Sequence, residues 1–338
     1  VTATVQDAVG NVSPAGTDSA LRDTTAPGLP VVTIVEDINN DGIINKSELS
    51  GNVGVQITLP SNAVVGDVLR VSDGITTQTI TLTAIQVAAG HVTMEFTPPA
   101  EGATITVTAT LTDVAGNQSA TGTDSALRDT LSPPAPVVTL SEDANNNGKI
   151  NASEFGADGQ SDIDVTIAIL AGTVAGDTLT VSDGKTTQTF VLTAAQIASG
   201  QVVTTFAPPA NGNTITVTAF VTDVAGNVST ASSDSALFDT VAPAAPTVTI
   251  SEDANNDGKI NASELVGNVD VVVSLPVDAV AGDVLTVTDG TTTKTITLTA
   301  TQIAAGNVLL DFAPPADGGT ITVTASVTDQ AGNTSSNG

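Results

Sequence analysis

Three twelve-residue stretches place oxygens at the intervals a hard divalent cation needs. They read Asp37-Ile-Asn39-Asn-Asp41-Gly42-Ile43-Ile-Asn45-Lys-Ser-Glu48, Asp143-Ala-Asn145-Asn-Asn147-Gly148-Lys149-Ile-Asn151-Ala-Ser-Glu154 and Asp253-Ala-Asn255-Asn-Asp257-Gly258-Lys259-Ile-Asn261-Ala-Ser-Glu264. In a calcium loop of this length, side chains supply oxygens from positions 1, 3 and 5, and the backbone carbonyl from position 7. Position 9 contributes directly or through water, Glu at 12 binds with both oxygens, and Gly at 6 makes the sharp turn. The expected ligands are therefore Asp37, Asn39, Asp41, Ile43, Asn45 and Glu48, with Asp143, Asn145, Asn147, Lys149, Asn151 and Glu154 in the second loop. In the third they are Asp253, Asn255, Asp257, Lys259, Asn261 and Glu264. Asp, Asn and Gly are also ordinary turn formers, and a single copy would read as a turn. Three copies that all keep Glu at position 12 point to Ca2+. Strands rather than helices are expected to flank the loops. Asn147 replaces the Asp of its siblings, so the second loop is expected to bind most weakly.

These loops sit in a repeated frame. Asp7-Ala-Val-Gly10-Asn11 recurs at Asp113-Asn117, Asp223-Asn227 and Asp329-Asn333, in steps of 106, 110 and 106 residues. The extra four residues of the second repeat fall between Phe155 and Asp164. Pro-marked linkers (Asp23-Thr-Thr-Ala-Pro27, Asp129-Thr-Leu-Ser-Pro133, Asp239-Thr-Val-Ala-Pro243) set the boundaries, because Pro ends a strand and stiffens the backbone beyond it. Residues 1–25 then belong to the end of a preceding repeat, and 26–131, 132–241 and 242–338 are three repeats, the last without its final strand. The chain reads as an excised piece of a longer protein. Within a repeat the apolar period is two, as in Ile105, Val107, Ala109 and Leu111 between threonines, which marks a half-buried antiparallel strand. Strands are predicted near 31–35, 53–59, 67–72, 76–83, 91–96, 104–111 and 119–126, with one helical turn within Thr83–Gly90 and an Asp73-Gly74 hairpin. Seven short strands in about a hundred residues predict an all-β chain of tandem immunoglobulin-like sandwiches in a linear array.

The paired Val-Thr-Asp-x-Ala-Gly-Asn and Asp-Thr-x-x-Pro signatures, in this order and spacing, resemble the bacterial immunoglobulin-like extender repeats of giant, type I-secreted RTX biofilm adhesins. The resemblance covers the whole chain. It implies a Gram-negative cell-surface fibre, extracellular and anchored to the outer membrane through other parts of the protein. In it, calcium-rigidified sandwiches hold a ligand-binding tip away from the cell. The repeats differ in length and sequence, so no particular adhesin is implied.

In a seven-strand sandwich the calcium loop, between the first two strands, lies at the end where the chain leaves. The Asp-x-Ala-Gly-Asn loop, between the last two, lies where the preceding repeat docks. A second class of ion site is therefore expected at each junction: Asp23 with Asp113 and Asn117, Asp129 with Asp223 and Asn227, and Asp239 with Asp329 and Asn333. The expected partners are neighbouring repeats of the same chain. Residues 16–24, a last strand without a domain, leave strand exchange between fragments open.

Composition narrows the alternatives. With 36 acidic against 8 basic residues and a net charge of -28, nucleic acid and anionic membranes are poor partners. The absence of Cys removes disulfides and thiolate metal sites. No apolar run is long enough to insert in a membrane. His91 is the single histidine, at a strand start, so triads and imidazole metal sites lack their parts. Seven Phe without Trp or Tyr offer little for sugar stacking or interface hot spots. Paired carboxylates could serve a glycosidase, but no aromatic platform accompanies them. The sequence is read as a non-enzymatic spacer without a small-molecule substrate. The other reading is an adhesive module in which the domains themselves make homophilic or carbohydrate contacts.

Overall fold

The computed structural model describes residues 1–338 and forms two compact units, residues 1–132 with 223–227 and residues 133–222 with 228–338. In the first unit the chain builds β1 (Val31–Ile34), β2 (Ile43–Ile44), β3 (Val53–Thr58), β4 (Val68–Ser72) and β5 (Thr77–Thr81). Helix α1 (Ala84–Ala89), β6 (His91–Phe96), β7 (Thr104–Thr112) and β8 (Gly122–Arg128) come next. One sheet has the order β1-β3-β6 and the other β2-β8-β7-β4-β5. The period-two pattern explains both. Ile105, Val107, Ala109 and Leu111 of β7 are buried against Val53, Val55 and Ile57 of β3, while the intervening threonines stay on the outer face. The fold is an all-β sandwich of the immunoglobulin and fibronectin kind. It differs from the constant immunoglobulin arrangement in that its fourth long strand, β5, joins the sheet of the third, sixth and seventh.

Local chemistry sets the corners. Gly74 (φ 85) turns the β4–β5 hairpin while Asp73 Oδ1 accepts the N–H groups of Ile75 and Thr76 at 2.9 and 2.6 Å. Thr83 and Gln86 form a capping box on α1, and Gly90 closes it in the left-handed conformation.

Three differences from the expected strands matter. The last strand starts at Gly122 rather than 119, because Ser119 first bonds back to Leu111. A two-residue strand, β2, lies inside the first twelve-residue loop. Of residues 16–24 only Gly16–Thr17 is strand, paired with Thr2–Ala3 and fully exposed.

The second unit repeats the pattern around two further cores, one from Val138 to Phe238 and one from Val271 to Val327. The former has the same three- and five-stranded sheets. The latter has two three-stranded sheets, and the sequence ends at Gly338, the position that opens β8 in the first core.

Candidate metal centres

Each loop is a run of turns wrapped around its own carboxylates. Asp37 accepts the N–H of Asp41 on Oδ1 at 3.0 Å and that of Gly42 on Oδ2 at 2.9 Å. Asn39 Oδ1 and Asp41 Oδ1 then accept from Asp41 and Ile43. The set recurs at Asp143, Asn145 and Asn147, and at Asp253, Asn255 and Asp257. Asn40, Asn146 and Asn256 carry φ of 57, 54 and 55, and Gly42, Gly148 and Gly258 carry φ of 83, 77 and 78. Left-handed backbone is tolerated by Asn and easy for Gly, which is why these types alternate here.

The last four positions close into a helical turn. Asn45 Oδ1 accepts from Ser47 N, Ser47 Oγ and Glu48 N, and Glu48 Oε2 accepts the N–H of Asn45 at 3.0 Å. Asn151 with Glu154 does the same and caps a true helix, Ala152–Phe155, and Asn261 with Glu264 shares the main features. Strands flank each loop as expected; the addition is that position 9 begins a helical turn at the loop's own end, because its Asn and the Glu three residues on form a capping box. That turn occupies the Asn oxygen and one Glu oxygen.

The remaining oxygens fit calcium. In the second loop the position 3 and position 12 side chains meet, with Asn145 Nδ2 donating to Glu154 Oε1 at 2.6 Å across nine residues. In the first, Asn39 Nδ2 reaches Asp41 Oδ2 at 2.8 Å. Amide N–H groups thus bridge oxygens that a cation would otherwise draw together, and every candidate donor is a hard oxygen. Asp37 and Asp143 are only 8% and 7% exposed. The third loop is more open: Asp253 is half-buried and Asn261 exposed.

Pairing ties the loop to the linker. β2 runs parallel to β8, with Leu127 N–H donating to Gly42 O at 2.8 Å and Asp129 N–H to Ile44 O at 3.0 Å. In the second unit Leu237 and Asp239 donate likewise to Gly148 and Ile150. Ile44 and Ile150 are fully buried beneath these strands, whereas Ile260 of the third loop is half-buried.

The junction residues come together as pairs. Asn227 Nδ2 donates to Asp129 O and Asp223 Oδ2, both at 3.0 Å, while its Oδ1 accepts Lys46 N–H at 2.8 Å. In the second unit Asn333 Nδ2 donates to Asp239 O and Asp329 Oδ2, and its Oδ1 accepts Ala152 N–H. Asn117 bonds Asp113 at 2.8 Å and reaches Asp23 O at 3.4 Å. In all three the Asn amide spans backbone and carboxylate, and at Asn227 and Asn333 its oxygen also holds the twelve-residue loop, through Lys46 and Ala152. Asn151 Nδ2 adds a bond to Ala331 O, and Lys149 Nζ one to Gln330 O. Burial, reinforced by the charges of Asp223 and Glu101, pushes the Asp129 carboxyl upward. The Asn117 side chain holds Asp113 below its ordinary value.

Three residues, Glu101, Asn211 and Asp283, contribute although they were not among the expected site residues. Glu101 accepts Thr130 N–H and Oγ1, both at 2.6 Å, and Asn211 accepts Thr240 N–H at 2.7 Å, so the β6–β7 loop and its counterpart in the second repeat fix the linkers. Asp283 is 1% exposed, and burial and the Asp329 charge raise it. It shares a cleft with Asp239, Asp278 and Asp329. Its repetition as Gly66-Asp67, Gly176-Asp177 and Gly282-Asp283 was the available signal.

An EF-hand family model matches residues 253–267, the third loop and the three residues after it. No curated protein matches the chain. Among solved structures, a 1.5-MDa bacterial ice-binding adhesin is similar over 93% of this chain and 96% of its own, at 22% identity and a TM-score of 0.36. A tetra-tandem repeat from the extending region of a large adhesion protein is similar over 100% of this chain and 80% of its own, at 20% identity and a TM-score of 0.31. Fibronectin(III)-like modules of Clostridium thermocellum CbhA are similar over 62% of this chain and 95% of their own, at 14% identity and a TM-score of 0.35. Scores at this level establish no relationship for the whole chain.

Proposed function

We propose that this chain is a calcium-rigidified extender of a large bacterial surface adhesin, made of repeats 26–131, 132–241 and 242–338. Its role is to hold a ligand-binding tip away from the cell for attachment or biofilm growth. The carrying observation is that the first two twelve-residue loops bond the last strand through Gly42 and Gly148, the start of the outgoing linker through Ile44 and Ile150, and an Asp-x-Ala-Gly-Asn loop. A loop that holds its own shape and a joint at once suits a structural clamp. In this reading Asp37, Asn39, Asp41, Glu48 and the Ile43 carbonyl hold one ion, with their counterparts in the other loops. A second ion at each joint would bridge linker carboxylate Asp23, Asp129 or Asp239 to Asp113 with Asn117, Asp223 with Asn227, or Asp329 with Asn333.

Secretion to the outer surface, by a type I route, goes with the proposal. No helix of the structure is long and apolar enough to cross a membrane. No catalytic role is proposed. Small-angle scattering with and without calcium is the test. The maximum dimension should grow and sharpen with calcium and collapse toward a flexible chain in chelator. Identical profiles would sink the proposal, as would a change that survives replacement of Glu48, Glu154 and Glu264 by Gln together.

A further inference from the structure

The second repeat carries an acidic cluster outside its calcium loop. Glu142 lies just after the strand Val137–Leu140 and is 6% exposed. Its Oε1 accepts the N–H of Asp164 at 2.9 Å, but its Oε2 is buried and has no hydrogen-bond partner. Asp158 and Asp164 each bring a carboxylate oxygen to that place, and the three ligand atoms lie within 4.8 Å of one another. Asp158 is presented by the segment that lengthens this repeat. Gly159 (φ 79) turns it, and Gln160 donates both its N–H and its side-chain amide to the Asp158 carboxylate.

A buried carboxylate oxygen without a partner is costly, and two further carboxylates beside it make it more so. A cation removes both penalties. Oxygens bound about 2.4 Å from one ion lie roughly 3.4 Å apart when adjacent and about 4.8 Å when opposed, so the observed spread suits a single ion.

The sibling repeats supply the comparison. Glu36 and Glu252 hold the same place, and each bonds a backbone N–H with Oε2 at 2.6 Å. Glu36 faces Gly54, which has no carboxylate. Glu252 faces Asp270, but no third acid, because the lengthened segment is missing there. We propose that Glu142, Asp158 and Asp164 form an additional site for a hard divalent cation of the calcium class, distinct from the twelve-residue loops and confined to the second repeat. The exposed side, next to Asp158, leaves room for water as the remaining ligands.

The test uses the intact chain and calcium alone. Bound ions are counted by native mass spectrometry and by equilibrium dialysis for the wild type, Asp158→Asn and Glu154→Gln. Asp158 is exposed in a loop, so its variant should fold. The expected result is one fewer ion per chain in Asp158→Asn, with a melting temperature above wild type in chelator and below it in calcium. That crossing reports relief of repulsion without the ion and loss of a ligand with it. An unchanged ion count in Asp158→Asn overturns the site. Glu154→Gln keeps it separate from the loop reading: an ion lost there alone upholds the loop and sinks this site, and an ion lost only in Asp158→Asn does the reverse.

Discussion

At the scale of the residue, single charges decide affinity and acid stability. The second loop offers one carboxylate fewer than its siblings, since Asn147 holds its oxygen on Lys149 N–H where Asp41 and Asp257 hold theirs on Ile43 and Lys259. Asn147→Asp adds a charge next to a divalent ion without altering that bond. Attraction of this kind across a few ångströms of water-like medium is worth on the order of 1–2 kcal/mol, so calcium should bind about tenfold more tightly by calorimetry. An unchanged affinity would mean the loop does not hold the ion through this position. The hairpin aspartates respond to pH instead. In Asp183 burial works upward, but the N–H groups of Thr186 and Lys185 outweigh it and the carboxyl is lowered. Asp289 is lowered by the N–H groups of Thr292 and Thr291. A carboxylate with a folded pKa below its unfolded one contributes stability above the unfolded value, and that contribution is lost as pH falls through the folded one. Below about pH 4, then, Asp183→Asn should lose less stability on acidification than wild type, measured by melts in chelator. Parallel curves would contradict the assignment.

At the scale of the element, the loops depend on left-handed backbone. Gly148→Ala asks an L-residue to hold φ 77, at a cost of roughly 1–2 kcal/mol. Open space surrounds that glycine, so the whole effect should fall on the loop conformation. The melting temperature should fall by several degrees even in chelator, and calcium affinity of the second repeat should drop as well if the loop must hold this conformation to bind. Much of this element is legible in the residues alone. The oxygen spacing names the loop, and the alternation of Ile105 to Leu111 names the strand beneath it. The helical turn at Ala152 is written in Asn151 and Glu154, a capping-box pair three residues apart, but the same two residues also read as ligands. β2 is hidden for another reason: two residues, Ile43 and Ile44, carry no periodicity, and only the presence of β8 alongside makes them a strand. The clamp of Glu101 on Thr130 joins loops 29 residues apart in sequence, and no local pattern announces that.

At the scale of the whole molecule, the proposal predicts graded behaviour. Asp129→Ala should loosen one joint and shorten the calcium-bound maximum dimension in scattering, whereas an exposed change such as Ile85→Ala should not. The third core lacks a counterpart of β8, and Ile260 is correspondingly less covered than Ile44. Residues 18–23 repeat the sequence of 124–129, so strand exchange predicts oligomers by light scattering that vanish when residues 1–25 are deleted. A strict monomer in both forms would end that idea. The parallel pairing of β2 with β8 also has a mechanical meaning. A chain drawn out in flowing water is pulled at its linkers, and Asp129 is where that pull enters the fold. Because β8 lies alongside the loop strand, the load would slide one past the other, and the bonds to Gly42 and Ile44 would resist together rather than open one by one. Calcium that stiffens the loop would then set the force at which each repeat yields.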